Sequence, residues 1–252
     1  MVQGGGDAGV LALTGDVDSV NLPYDVHGVN INFVNISATP SDGSTSAHPY
    51  HHGDLRNALV DAAVQLAHEG GPSAIVLREA ARRVGVSPNA AYRHFGALPD
   101  LVIEVAEVAL TRMAEVMQVE LDKVVATGDP VRDAPARLMA VGRGYVRFAL
   151  DEPGLFSTAF SAHEQASMQK FSTATGASSS TPESLLRDRL DELVAAGIVK
   201  PADYDATAKT CWAVVHGLSL LLLGPMSGVP LDERPALIDA CLSVIGRGLA
   251  ST

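Results

Sequence analysis

The stretch Leu77–Phe95 reads Leu-Arg-Glu-Ala-Ala-Arg-Arg-Val-Gly-Val-Ser-Pro-Asn-Ala-Ala-Tyr-Arg-His-Phe, and it leaves the chain few choices: two short helices joined by a tight turn. Leu77, Ala80, Ala81 and Val84 recur at i, i+3, i+4 and i+7, so they form one apolar stripe and leave Arg78, Arg82 and Arg83 facing water. Gly85 stops that helix, because a residue without a Cβ enters the left-handed conformation cheaply. Val86 packs the turn, Ser87 is placed to cap the free N–H groups of the next helix, and Pro88 suits a first helical position, where no N–H bond is needed. On the second helix Ala91 and Phe95 point inward. Asn89, Ala90, Tyr92, Arg93 and His94 stay outside, a donor-rich and nearly acid-free surface that fits a major groove about 12 Å wide. Alone, such a turn describes a plain helical hairpin equally well, so the flanking residues carry the argument further.

Tyr50-His-His-Gly-Asp-Leu-Arg56 precedes a first helix, the pair of helices closes on Tyr92-Arg-His-Phe95, and Leu101 opens a long helix. Over residues 50 to about 110 this frame resembles the DNA-binding domain of TetR-family transcriptional regulators. The resemblance implies an all-α protein, with a three-helix helix–turn–helix domain over 48–98 and a larger helical domain for ligand binding and dimerisation over 99–252. It implies that Asn89, Ala90 and Arg93 face base edges while Ser87, Tyr92 and His94 hold the DNA backbone. It also places Arg56, with His51 and His52, near the phosphates or the minor groove. The two histidines are adjacent, so their side chains do not converge on one metal ion. Two positions depart from the family pattern. Val76 stands where Ser or Thr usually caps the second helix, and Leu98 where a Lys often touches phosphate. Both remove a backbone anchor, so DNA affinity is expected to be either weaker than usual or carried more by Arg78, Tyr92, His94 and the segment before the first helix.

Charge agrees with a nucleic-acid partner only when divided by position. The chain carries −11 overall, yet residues 1–47 hold five Asp and no Lys or Arg, and 48–101 hold five Arg (56, 78, 82, 83, 93) against five acids (54, 61, 69, 79, 100). The reading head is therefore neutral, and its non-specific affinity for DNA is expected to be modest, since that term scales with the phosphates neutralised. Cys211 and Cys241 stand thirty residues apart, outside any metal-like pair or disulfide framework. No run approaches the roughly 18 consecutive apolar residues of a membrane span. The N-terminus lacks the charged start and apolar core of a signal peptide. A cytoplasmic protein with no membrane partner, metal or cofactor is expected.

Residues 1–47, rich in Gly, Asp, Asn, Ser and Thr, read as a disordered extension; Val29–Ile36 partly alternates, but a lone strand has nothing to pair with in a helical protein. From Asp54, the residues Leu55, Leu59, Ala62, Ala63 and Leu66 form one helix face that Gly70-Gly-Pro72 ends. A helix over 99–125, opened by Pro99 and closed by Thr127-Gly-Asp-Pro130, links the head to the rest. Along it Met113 and Met117 fit either core packing or a pocket wall, since Met adapts to irregular shapes. Further helices are expected over 131–150, 155–169, 182–196, 201–223 and 235–249, with a Ser/Thr/Gly/Ala loop over 171–181. About nine helices result.

Trp212 with His216 and Gly217 resembles the Trp-x-x-x-His-Gly signature of one TetR C-terminal subgroup, as do Gly142-Arg-Gly-Tyr-Val-Arg-Phe148 and Pro153-Gly-Leu-Phe156. Trp212 and His216 share one helix face, either as a packed core pair or as the lining of an effector cavity together with Met113, Met117, Tyr145, Phe148 and Phe156. The implied function is a regulator, of repressor type, that binds a palindromic operator as a homodimer and is released by a small-molecule effector whose identity the residues do not name. The low charge of the apolar faces argues against a strongly ionic one. An effector between helix 99–125 and the Tyr145, Phe156, Trp212, His216 region would tilt that linking helix. The stripe Leu237, Ile238, Cys241, Leu242, Ile245 and the run Leu220–Leu223 supply a dimer surface. A DNA-binding protein without effector is the alternative. An enzyme is disfavoured by the lack of a Gly-x-Ser-x-Gly elbow, a P-loop, a dinucleotide fingerprint or a metal-spaced cluster.

Overall fold

Each expected helix start carries its own chemical signature, and the computed structural model, which describes residues 55–165 and 180–249, builds a helix at every one. The described residues form nine α-helices and no strand. In chain order they are α1 (Leu55–Gly70), α2 (Leu77–Val84), α3 (Pro88–Tyr92), α4 (Leu98–Asp122), α5 (Pro130–Asp151), α6 (Pro153–Gln165), α7 (Pro182–Ala195), α8 (Tyr204–Leu223) and α9 (Arg234–Leu249). The expectations placed on residues 1–47, on His51 and His52, and on most of the 171–181 loop lie outside the described residues.

Proline begins several of these helices because its missing N–H is one the first turn cannot use. The remaining orphan N–H groups find side chains. Asp129 accepts from the Val131 N–H at 3.0 Å at the head of α5. At α7, Thr181 and Ser184 exchange bonds, the Ser184 N–H donating to Thr181 Oγ1 at 3.0 Å and the Thr181 N–H to Ser184 Oγ at 2.8 Å. In the first turn of α5 the buried carboxylate of Asp133 gathers the Thr127 N–H, the Thr127 hydroxyl and the Gly128 N–H between 2.7 and 3.1 Å. Those bonds hold its carboxyl below the usual range and close the α4–α5 turn.

The core runs from the head into the rest without a break: Leu59, Val64, Ala91, Phe95 and Leu101 belong to the same buried cluster as Met113, Phe148, Phe156 and Leu242. A smaller cluster, Leu138, Leu190, Leu193, Val199 and Cys211, seals α5 against α7 and α8. Among the described residues one stretch, 201–223, is long and apolar enough to cross a membrane by length and composition. In the fold it is a packed helix that buries Cys211, Val215, Leu218 and Leu222 along one face.

Candidate nucleic-acid interface and ligand cavity

The turn between α2 and α3 is built as its residues dictate. Gly85 takes φ +78°, the left-handed region, and the Val86 N–H bonds back to the Ala81 carbonyl at 3.0 Å. The Ser87 hydroxyl accepts from the Ala90 N–H at 3.3 Å. Ala91 and Phe95 are buried to 0% and 1% exposure and fix the rotation of α3. Asn89, Tyr92, Arg93 and His94 therefore face outward, Tyr92 at 50% exposure, and Ala90 is half-buried beside them. Val76 begins α2 with no side-chain cap, and Val76 and Leu98 are both exposed.

The five arginines of the head divide into two groups. Arg82 forks onto Glu79 at 2.7 and 2.8 Å, and Arg83 onto Glu69 at 2.6 and 2.9 Å. The hydrogen bond from Arg82 leads the causes that bring the Glu79 carboxyl down to about 2. Arg56, expected near phosphate, is exposed and also makes contacts within the protomer: it donates to the His94 carbonyl at 3.0 Å, pairs with Glu104 at 2.6 Å and stacks 4.5 Å from the centre of the Phe95 ring. It clips α1 to the end of α3 and to α4, because a planar guanidinium can serve a carboxylate, a carbonyl and a ring face together. Arg78 and Arg93 stay exposed and form no ion pair among the described residues.

A cavity of about 780 Å³ lies among α4, α5, α7, α8 and α9, with Phe160 of α6 on its wall. Of the residues expected to line it, Met117, Tyr145 and Trp212 do. His216 and Phe156 stand just behind: the Tyr145 hydroxyl and His216 Nδ1 are 2.9 Å apart, and the His216 ring packs against Phe160, Phe156 and Trp212 at centroid distances of 4.7, 5.5 and 5.7 Å. Burial raises the Tyr145 phenol above its ordinary range and lowers the His216 imidazole, so both are neutral. Met113 and Phe148 are buried in the core instead of on the wall. Leu110 and Met117, seven apart, share the cavity-facing line of α4, and Met113 is rotated roughly 40–60° off it; Phe148, three beyond Tyr145, is likewise rotated about 60°. Sequence reasoning missed Phe160, and also Glu183, Arg187, Asp205 and Lys209, which line the cavity and are solvent-exposed. Polar residues on the first two turns of α7 and α8 carry no periodic signal of facing a cavity.

Helix α6 joins the two sites. Its second residue, Gly154, lies against the last turn of α1 so closely that a Cβ there would stand 2.1 Å from the Ala67 carbonyl oxygen and 2.9 Å from that of His68. Beside it His68 Nδ1 meets Glu152 at 2.5 Å. Helices α8 and α9 expose Leu220, Leu221 and Val244 at 51%, 44% and 60%. The stripe expected to form the dimer surface behaves differently: Ile238 and Leu242 are buried, Leu242 against Gly142 of α5, because α9 needs that stripe to join its own protomer.

Residues 59–105 match the family described as bacterial regulatory proteins, tetR family, and 138–244 match the family described as tetracyclin repressor-like, C-terminal domain. An HTH-type transcriptional regulator of Haemophilus influenzae is 36% identical over 77 residues, 30% of this chain. The chain spans 38% of that relative's length and 52% of a second curated relative. Among solved structures, a protein of unknown function from Rhodococcus sp. RHA1 superposes with a TM-score of 0.61 at 27% identity, covering 81% of this chain and all of the other. PfmR, a TetR-family transcriptional regulator from Thermus thermophilus, shares the fold with a TM-score of 0.50 at 19% identity, covering 75% of this chain and 97% of its own.

Proposed function

Because the chain belongs to the tetR family of bacterial regulatory proteins, we propose that it is a cytoplasmic repressor that binds a palindromic operator as a homodimer and leaves it when a small-molecule effector fills the cavity. The observation that carries this reading is the outward face of α3, where Asn89, Tyr92, Arg93 and His94 stand on a helix pinned by Ala91 and Phe95. In this reading Asn89, Ala90 and Arg93 meet base edges, and Ser87, Tyr92, His94 and Arg78 hold the backbone. Arg56 serves by positioning α3. Residues 48–98 read DNA, and 99–252 bind ligand and dimerise.

One head reads one major groove, and two must stand about 34–36 Å apart to read successive ones. The exposed apolar side chains of Leu220, Leu221 and Val244 support a dimer through α8 and α9, which meets its copy across a two-fold axis. An effector among Met117, Tyr145, Phe160 and Trp212 touches α4, α5, α6 and α8 at once. Helix α4 continues the head, and α6 abuts α1, so a ligand that favours a different placement of either helix favours a DNA-incompetent state by its differential affinity. The chemistry is binding alone.

Footprinting of the full chain on DNA flanking its own gene tests this. The expected result is one protected site of two-fold symmetry, with half-sites about one helical turn apart. Protection of a single asymmetric half-site by a monomer, or binding indifferent to sequence, would count against it.

A further inference from the structure

The charged side chains on the cavity wall are all solvent-exposed. Glu183 and Arg187 on α7, and Asp205 and Lys209 on α8, sum to zero, and Glu183 and Arg187 already pair at 2.8 Å. The buried part of the wall is formed by Met117, Val141, Tyr145, Cys211 and Val215. Its polar atoms are occupied: the Tyr145 hydroxyl is shared with His216 at 2.9 Å and with the Trp212 side chain. Burial pushes the Cys211 thiol up to about 11, which keeps it protonated. A charge carried to that part meets no counter-charge and gives up its water, a loss that apolar contacts do not offset. An apolar body meets the reverse case, since the thioether of Met117 and the ring faces of Tyr145, Phe160 and Trp212 adapt to it without leaving a polar group unpaired.

We infer that this cavity takes an uncharged, mainly apolar molecule of up to about 25 non-hydrogen atoms, the number that fills 780 Å³ at roughly 30 Å³ each, and that it discriminates against a fixed charge of either sign. The inference rests on reading the cavity as the effector site and names the class of effector.

Trp212 is the sole tryptophan of the chain and stands in the wall, so the emission of the full-length protein without DNA reports occupancy. Titration with decan-1-ol, decanoate and decylammonium below their micellar concentrations holds the chain constant and changes only the charge. The alcohol is expected to shift the Trp212 signal saturably, with a midpoint at least about tenfold below that of either ion, the modest end of a charge-burial penalty. A midpoint for decanoate at or below the alcohol's overturns the inference in favour of an acid read by Arg187 and Lys209. The same result for decylammonium overturns it in favour of a cation read by Glu183 and Asp205. No saturable response to any of the three refutes the apolar assignment itself. Ala208→Phe, which adds a ring from the wall, should weaken the alcohol about tenfold with a melting temperature within about 2 °C of the parent; unchanged binding would place the alcohol elsewhere and refute the site. The effector reading fails separately, through an alcohol that binds as described yet leaves the operator complex intact.

Discussion

Gly154→Ala is the most informative single change, because it adds one methyl group between the head and the rest. That methyl would lie 2.1 Å from the Ala67 carbonyl oxygen, 2.9 Å from the His68 carbonyl oxygen and 3.2 Å from the Ala67 carbonyl carbon. Ordinary contact begins near 3.4 Å, so the start of α6 must retreat from α1 by about 1 Å, against backbone that has no rotamer to yield. Overpacking of this kind costs about 1–3 kcal/mol, which for a chain of this size lowers the melting temperature by roughly 2–12 °C. The retreat also moves Phe160, which lines the cavity, and Phe156 behind it, and loosens the His68–Glu152 contact. Operator affinity should therefore change by more than the unfolded fraction explains. Differential scanning calorimetry and fluorescence anisotropy on operator DNA, with Gly248→Ala as a control where an added Cβ meets open space, provide the two readouts. A Gly154→Ala protein that melts within a degree or so of the parent and binds operator equally well would refute the claim that α6 is clamped to α1.

Leu221→Arg, at a site exposed in the protomer, should give a folded monomer by sedimentation that no longer binds operator, and a dimer that survives it would remove α8 from the interface. Arg93→Ala should cost about 1–3 kcal/mol and relax the preference at one operator position, while Tyr92→Phe weakens all sequences alike; a changed base preference after Tyr92→Phe would reverse the two roles. With Arg56, Arg82 and Arg83 paired to carboxylates and Arg93 assigned to a base edge, Arg78 remains for phosphate in each described head, so log K against log salt should have a slope of only about −2 per dimer, and a slope near −10 would show that other cations carry the contact. His216 is held neutral by burial, its imidazole lowered from 6.5 in the folded state, so on acidification the unfolded chain takes the proton first. Stability should accordingly fall as the pH drops below about 6.5 and level off once the folded imidazole protonates, and a His216→Asn protein that shows the same acid slope would contradict this.

The helix–turn–helix was legible because every device in it is local. Gly85, Ser87, Pro88, Ala91 and Phe95 act on residues within a turn or two, and the structure shows each in its expected conformation or burial. Helix order was legible for the same reason, since prolines and N-caps punctuate the chain. The family resemblance places Arg56 near phosphate, but its contacts within the protomer were not legible, since its partners Glu104 and the His94 carbonyl lie 48 and 38 residues away. The stripe on α9 was recognised as apolar, but periodicity says only that a face is covered and not which surface covers it. Here α5 covers Leu242, and Leu220, Leu221 and Val244 remain free of the protomer's core.

Neighbouring residues alone set the helices, their limits and the outward face of α3, because backbone capping and a period of 3.6 residues are local properties of the chain. Which aromatic residues line the cavity, the pairing of Arg56 with Glu104 and of Arg83 with Glu69, and the seat of Gly154 between α6 and α1 were fixed only by packing. Each of these depends on two segments far apart in the chain meeting within a few ångströms. Nothing in the spacing of either segment encodes that distance; it arises when helices of given length and girth are packed around a shared core.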